Sequence, residues 1–239
     1  ISGGDLLPLA LEEKINKYLK DHNSTAKITQ GYGLSEASPV VSMNSKGHNK
    51  LGSVGRPIPG VEARVDEETG ELQVKGPNIM KGYYKRDDLT DDVMTEDGWL
   101  RTGDIAKIDE DGFIYITGRI KNMIVLNGGK KVFPEEVEAV IEQSPMFQEI
   151  CVIGTKRSGG QKDGTEDVTI VVVPKEEISA KHQDDKELIK IVRAEVKEYA
   201  QKLSQFKRPT NVIVSRELLP RTATSKIKRK EVKKFAEKT

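Results

Sequence analysis

GRIKNMIVLNGGKKVFPEEVE, residues 118–138, decides how this chain is read. Gly118 closes a run with strand character, and Arg119 and Lys121 set two cations beside it. Residues 123–126 form a second apolar strand. Asn127-Gly128-Gly129 signals a tight turn, because Asn and Gly tolerate positive φ. Pro134 then opens an amphipathic helix with Val137, Val140 and Ile141 on one face. A basic hinge, a glycine turn and a new helix in succession mark a joint between two blocks of chain.

The block before the joint is rich in strands and turns. A Gly turn at Ser2-Gly3-Gly4 leads into a helix that Asp5 can cap, with Leu7, Leu11, Ile15 and Leu19 at helical spacing. GYGLSE follows at 31–36. Gly31 and Gly33 let backbone approach a ligand, and Tyr32 offers an aromatic face. Ser35 adds a hydroxyl, and Glu36 adds a hard carboxylate of the kind Mg²⁺ accepts. A Gly/Pro-punctuated loop covers 51–60. Residues 61–65 and 71–75 alternate around DEETG as a hairpin. Thr90-Asp91-Asp92 has the character of a helix start. In WLRTGD (99–104), Asp104 follows a Thr-Gly turn, at the start of a strand, where its carboxylate could accept from vicinal hydroxyls. Residues 105–108 and 113–116 pair across Asp109-Glu110-Asp111-Gly112. On residue type alone, Ser2-Gly3-Gly4 is an ordinary loop, GYG a turn, and Asp104 a solvated turn residue.

After the joint the pattern becomes α+β. Residues 150–154 and 168–173 are apolar strands, the second a continuous run suited to burial. Between them lies a polar, Gly-rich loop. A helix over about 184–203 carries Leu188, Ile191, Val192, Val196, Tyr199 and Leu203 on one face. Residues 211–214 form a last strand. LLPRTATSKIK (218–228) is a Thr/Ser-rich flexible loop that carries Lys226, a cation free to be delivered elsewhere. A basic helix follows.

The 39 Lys and Arg nearly balance the 38 Asp and Glu, so no global field favours nucleic acid or membrane. From Lys226 to Lys238 there are seven basic residues against two acidic ones, which reads as a solvated face. Cys151 is the sole cysteine and sits in an apolar run, so a disulfide framework is excluded and a reducing, cytoplasmic setting is expected. No apolar run reaches membrane-spanning length, so at most peripheral membrane association is expected. The chain opens without Met, which points to a piece of a longer protein.

GYGLSE, WLRTGD, GRIKNMI with its glycine turn, and PRTATSKIKR stand in a fixed order. Together they resemble the adenylate-forming superfamily of acyl-CoA synthetases, peptide-synthetase adenylation domains and luciferases. The resemblance covers essentially the whole chain. LGSVGRPIPGVEARV, GELQVKGPNIMKGYYK and DGWLRTGDIAKIDEDGFIYITGR are most similar to the long-chain fatty-acid–CoA ligase branch.

The resemblance implies a mixed α/β and α+β fold. Residues 1–118 would be the C-terminal part of the large, β-rich AMP-binding domain, and 119–239 the small mobile α+β C-terminal domain. The implied reaction converts a medium- to long-chain fatty acid and Mg·ATP to acyl-AMP and pyrophosphate, and coenzyme A then displaces AMP. By position, Tyr32 would stack on adenine with Gly31 and Gly33 beside it. Ser35 would contact phosphate, and Glu36 would hold Mg²⁺. Asp104 would bind the ribose hydroxyls, and Arg119 a ribose or phosphate oxygen. Lys121 matches the hinge, Gly128 the turn beside the pantetheine arm, and Lys226 the lysine that stabilises charge during adenylation. Gly3 and Gly4 match a segment lining the adenine and acyl pockets.

Two departures accompany the match. Ser225 stands where the family usually has Gly. The family's Ser/Thr/Gly-rich phosphate loop lies upstream of GYGLSE, and these residues do not contain it. The missing N-terminal part is thus an expected partner, and the chain alone is expected to be inactive. Alternative readings are a non-catalytic nucleotide- or CoA-binding fragment, or an adenylation enzyme with a carrier-protein acceptor. Lys130, Lys131 and the terminal basic helix favour free CoA.

Overall fold

The computed structural model describes residues 1–4, 7–156, 166–223 and 225–238, without the side chain of Ala10. The chain divides into two compact units, Ile1–Lys121 and Asn122–Thr239.

The first unit opens with helix α1 (Leu9–Asp21). Strands β1 (Gly31–Gly33), β2 (Val40–Met43) and β3 (Arg56–Pro57) form one antiparallel sheet. Strands β4 (Glu62–Val65), β5 (Glu71–Lys75), β6 (Leu100–Ile108) and β7 (Ile114–Arg119) form a second, in chain order, with helix α2 (Asp87–Val93) between β5 and β6. Hairpins join β4 to β5 and β6 to β7, whereas β5 and β6 pair across the longer connection that holds α2. The DEETG turn is closed by Asp66, whose Oδ1 accepts from the Thr69 amide (2.8 Å) and hydroxyl (2.6 Å). Leu72, Val74, Leu100 and Ile114 bury against Ala37, Val41 and Val54, so the two sheets share one core.

The second unit begins with a short ribbon, β8 (Ile124–Val125) and β9 (Lys131–Val132), followed by α3 (Pro134–Ile141). Strands β10 (Phe147–Lys156), β11 (Glu166–Pro174) and β12 (Asn211–Val214) form its sheet. The central β11 runs antiparallel to β10 and parallel to β12. The crossover to β12 contains α4 (Glu176–Lys181) and α5 (Asp185–Ala200), as a parallel pairing requires. Asp184 caps α5, accepting from the amides of Lys186 (2.7 Å) and Glu187 (3.1 Å). On one face Ile150, Val152, Ile170 and Val172 meet Val137, Ile141, Leu188 and Val192. On the other, Cys151, Ile153, Val171 and Val173 meet Leu219 and Val232 of α6 (Arg229–Ala236). Both faces of β11 are covered, which accounts for its apolar run Ile170–Val173.

Several elements differ from the sequence expectation. Helix α1 starts after Pro8 with no side-chain cap, and Asp5 lies outside the described residues. Leu7 precedes α1, Leu11 is exposed, and the buried position is Glu12, held by the Gln30 amide nitrogen at 2.7 Å. Gly-Tyr-Gly is a strand rather than a turn, because β2 pairs along it. Helix α2 begins at Asp87, three residues before the expected start, with Asp87 and Asp88 in its first turn. The 51–60 loop contains β3. The second apolar strand shrinks to Ile124 and Val125, since its partner β9 supplies only two residues. Most of the polar loop between β10 and β11 lies outside the described residues.

Candidate functional site

Asp104 lies in the middle of β6 rather than at a strand start, opposite Arg119 of β7. A register irregularity between Ile105 and Ala106 lies immediately beyond it. Its side chain is 3% exposed, and Arg119 Nε donates to Oδ1 at 2.6 Å. The Tyr32 hydroxyl donates to Oδ2 at 2.6 Å, so β1 is tied to β6 across the unit. Burial, and then the Asp104 charge, push the Tyr32 phenol far above its ordinary range. Each Asp104 oxygen keeps a second lone pair for an incoming hydroxyl. Thr102 Oγ1 supports this arrangement by donating to the Leu72 carbonyl (2.7 Å) and accepting from the Asp104 amide (3.2 Å).

Gly33 is required at its position: a Cβ there would stand 1.8 Å from the Pro39 carbonyl oxygen. Gly31 lies close to the Ser42 carbonyl, and a Cβ would meet it at 3.3 Å. Ser2 donates to the Thr29 carbonyl (2.7 Å) and accepts from the Gly31 amide (2.9 Å). These bonds bring the Ser2-Gly3-Gly4 segment alongside β1.

Ser35 is exposed at the start of a 3-10 turn, Ser35–Ala37, that also carries Glu36. The Glu36 carbonyl accepts from the Met80 amide at 2.8 Å, and Oε1 accepts from the Tyr83 hydroxyl at 2.8 Å. That hydrogen bond, and then burial, raise the Tyr83 phenol. Glu36, Tyr83, Glu71, Thr102, Gly103 and Arg119 line one cleft of about 420 Å³. A carboxylate and a guanidinium thus face the same space. Among the described residues no group of three or more His, Cys, Asp or Glu is arranged to hold a metal. Mg²⁺ is usually held by one or two carboxylates plus substrate phosphates, and Glu36 in a cleft fits that donor set.

In the second unit Gly128 and Gly129 hold φ of +86° and +78° in the turn between β8 and β9. Lys130 Nζ stands 4.8 Å from the Phe206 ring centre. The segment around Lys226 is not the slack loop expected. Arg221 and Ile227 form a bridge, the Thr222 amide donates to the Lys226 carbonyl (2.8 Å), and the Lys226 amide donates to Thr222 Oγ1 (3.1 Å). Ser225 holds φ of +63°, the left-handed region that glycine occupies without strain. Lys121 is exposed and ends the first unit.

The structure therefore gathers Tyr32, Asp104 and Arg119 by direct contact, and places Glu36 in the cleft that Arg119 lines. Gly128 and Lys226 stand on separate loops of the second unit. Sequence reasoning assigned no role to Tyr83 or Thr102, whose contacts with Glu36 and Asp104 are long-range or set by the strand pairing.

The first part of the chain, residues 1–84, matches the family described as AMP-binding enzyme, and residues 121–238 match AMP-binding enzyme C-terminal domain. A long-chain-fatty-acid–CoA ligase of Bacillus subtilis is 38% identical over 243 residues, covering 97% of this chain and 40% of that protein. A malonate–CoA ligase of Arabidopsis thaliana is 34% identical over 218 residues, covering 88% of this chain and 35% of that protein. ATP-bound MatB from Rhodopseudomonas palustris matches with TM-score 0.78 and 29% identity, over 99% of this chain and 45% of that one. The o-succinylbenzoate CoA synthetase of Bacillus subtilis, in complex with its acyl-adenylate intermediate, matches with TM-score 0.76 and 28% identity, over 97% and 45%. The chain spans less than half the length of these relatives. Among the described residues no helix is long and apolar enough to cross a membrane. Two family matches that together cover most of the sequence, and relatives that are CoA ligases along nearly all of it, make this chain a member of the AMP-binding, adenylate-forming enzyme family.

Proposed function

We propose that this chain is the C-terminal portion of an AMP-forming acyl-CoA ligase that activates a medium- to long-chain fatty acid. Residues 1–118 belong to the large nucleotide-binding domain, and 119–239 to the small domain that turns about Lys121. The observation that carries this reading is the buried Asp104 carboxylate, gripped by Tyr32 and Arg119 beside a cleft that Glu36 also lines. A ribose presents two vicinal hydroxyls, and Asp104 can accept both. Tyr32 flanks the adenine between Gly31 and Gly33, and Gly3 and Gly4 line the pocket. Ser35 and Arg119 contact phosphate or ribose oxygens. Glu36 holds Mg²⁺, whose charge offsets that of the phosphates.

Charge grows on the α-phosphate and on departing pyrophosphate as the fatty carboxylate attacks. A cation aimed there acts in the transition state, which is the role of Lys226. Removal of one such preorganised donor typically costs about 10²–10³ in rate. Coenzyme A then takes the acyl group. Gly128, in its left-handed turn, leaves backbone free of side-chain bulk for the pantetheine arm. Lys130 and Lys131 supply cations suited to a phosphorylated acceptor.

The test is ATP–pyrophosphate exchange by the full-length protein with Mg²⁺ and a panel of fatty, dicarboxylic and aromatic acids. Exchange with fatty acids, followed by acyl-CoA on addition of coenzyme A, is expected. Exchange confined to malonate or an aromatic acid would keep the reaction and overturn the substrate class. Absence of acyl-AMP from every acid, with Lys226 intact, would overturn the reaction itself.

A further inference from the structure

Glu149 lies in β10 with its side chain only 6% exposed, a carboxylate directly before the buried apolar run Ile150–Ile153. Its two oxygens do different work. Oε2 accepts the Leu219 amide at 2.7 Å. Oε1 accepts from Arg221 at both Nε (3.0 Å) and Nη2 (2.7 Å). The remaining guanidinium nitrogen, Nη1, donates to the Ser225 carbonyl. One buried anion thereby holds the entry of the loop through backbone, and its far side through an arginine. Ser225 directly precedes Lys226, so the guanidinium grips the peptide group from which Lys226 departs. Within the loop, backbone bonds join Thr222 with Lys226 and Lys228 with Pro220, and so close it on itself. Among the described residues, Arg221 links the Ser225 side of the loop to the sheet, and Arg229 ties the start of α6 to it just beyond.

We propose that Arg221, anchored by Glu149, is a positioning residue for Lys226 in the adenylation step. This rests on the reading of Lys226 given above. Its physical basis is the planar fork of arginine: two donors fix it to a carboxylate while a third reaches a carbonyl. Lysine, a point charge, can pair with Glu149 but cannot hold both partners in that geometry. A positioned group displaced by about 1 Å can lose roughly a hundredfold in rate.

The test compares half-reactions in the full-length protein. Adenylation is read by ATP–pyrophosphate exchange, and acyl transfer by the reaction of premade acyl-adenylate with coenzyme A. Arg221→Ala is expected to lower the exchange kcat by about 10- to 100-fold. The KM for ATP and the acyl-transfer rate should stay within about threefold, since Lys226 serves only the first step. Arg221→Lys should recover part of the loss. Glu149→Gln, which keeps the shape and an acceptor for Leu219, should show the same selective loss should the alanine variant fold poorly. In a Lys226→Ala background, Arg221→Ala should add nothing. Equal losses in both half-reactions, multiplied losses in the double variant, or no loss in either would overturn the proposal. If Lys226→Ala itself leaves exchange unchanged, the reading of Lys226 fails and takes this proposal with it. If Lys226→Ala is slow while Arg221→Ala is not, only the positioning role fails.

Discussion

Replacing Arg229 with Met should unfold the second unit far more easily than a surface change would. Arg229 Nη1 and Nη2 meet the two Glu138 oxygens at 2.5 and 2.6 Å, and Nη1 also donates to the Val152 carbonyl at 2.7 Å. Glu138 Oε1 in turn accepts the Val152 amide at 2.7 Å. The side chains are 25% and 13% exposed, so neither charge is well hydrated. Burial works against the guanidinium charge, but Glu138 more than offsets it, and Arg229 stays protonated across any practical pH. Breaking a buried pair by removing one partner costs about 3–5 kcal/mol. Partial exposure argues for the lower end, about 3 kcal/mol. With a urea m-value of about 1.5 kcal/mol/M, the midpoint should fall by roughly 2 M. The assay is equilibrium urea unfolding of residues 122–239, which have their own core, followed by circular dichroism. Adding Glu138→Gln removes the stranded charge and keeps an acceptor for Val152, so the double variant should regain about half of the loss. A midpoint shift under about 0.5 M would show that the pair is effectively solvated. A double variant less stable than Arg229→Met would show that the loss does not arise from the stranded Glu138 carboxylate.

Cys151 is fully buried, and desolvation pushes its thiol up to about 12. It should therefore resist disulfide reagents at about pH 8 in the folded chain and react fully in denaturant. Rapid native labelling would contradict its placement between the sheet and α6. Ser225→Gly should leave stability unchanged or raise it by up to about 0.5 kcal/mol, as relief of left-handed strain is set against greater unfolded-chain entropy. A lowered melting temperature would refute that reasoning. The Tyr32 phenol ordinarily titrates at 10.0 and is raised in the folded state. Below that value the contribution is complete. Above it the unfolded chain releases a proton that the folded chain retains, so stability falls as pH rises. Tyr32→Phe should flatten the stability profile between about pH 9 and 11, and an unchanged slope would sink the assignment.

Local signals were legible wherever turn chemistry and periodicity agreed. The DEETG and Asp109–Gly112 hairpins, the Asn-Gly-Gly turn and the α5 face could all be read residue by residue. Boundaries set by a distant partner could not. Gly-Tyr-Gly is a strand because β2 pairs along it, and β8 is two residues long because β9 is. Asp104 looked like a turn residue because Thr-Gly precedes it, yet β5 pairs with β6 up to Ile105 and β7 from Asp104 onward, so the strand runs through it. The contacts of the candidate site are long-range: Tyr32 and Asp104 are 72 positions apart, and Glu36 and Tyr83 are 47. Spacing carries no information on such pairings. It was the order of four motifs, each weak alone, that pointed to these residues.

The anchors of the second unit have a consequence for its synthesis. Glu138 and Glu149 leave the ribosome early, whereas Arg229 and Arg221, their counterions, emerge 91 and 72 residues later. Until then α3 and β10 each bring a carboxylate into an apolar setting without its arginine partner, which disfavours closure of the sheet. A chain that stops short of Arg221 leaves both carboxylates without their arginines, and its own interior then opposes folding. Only a chain elongated through the segment that carries Lys226 can neutralise both acids.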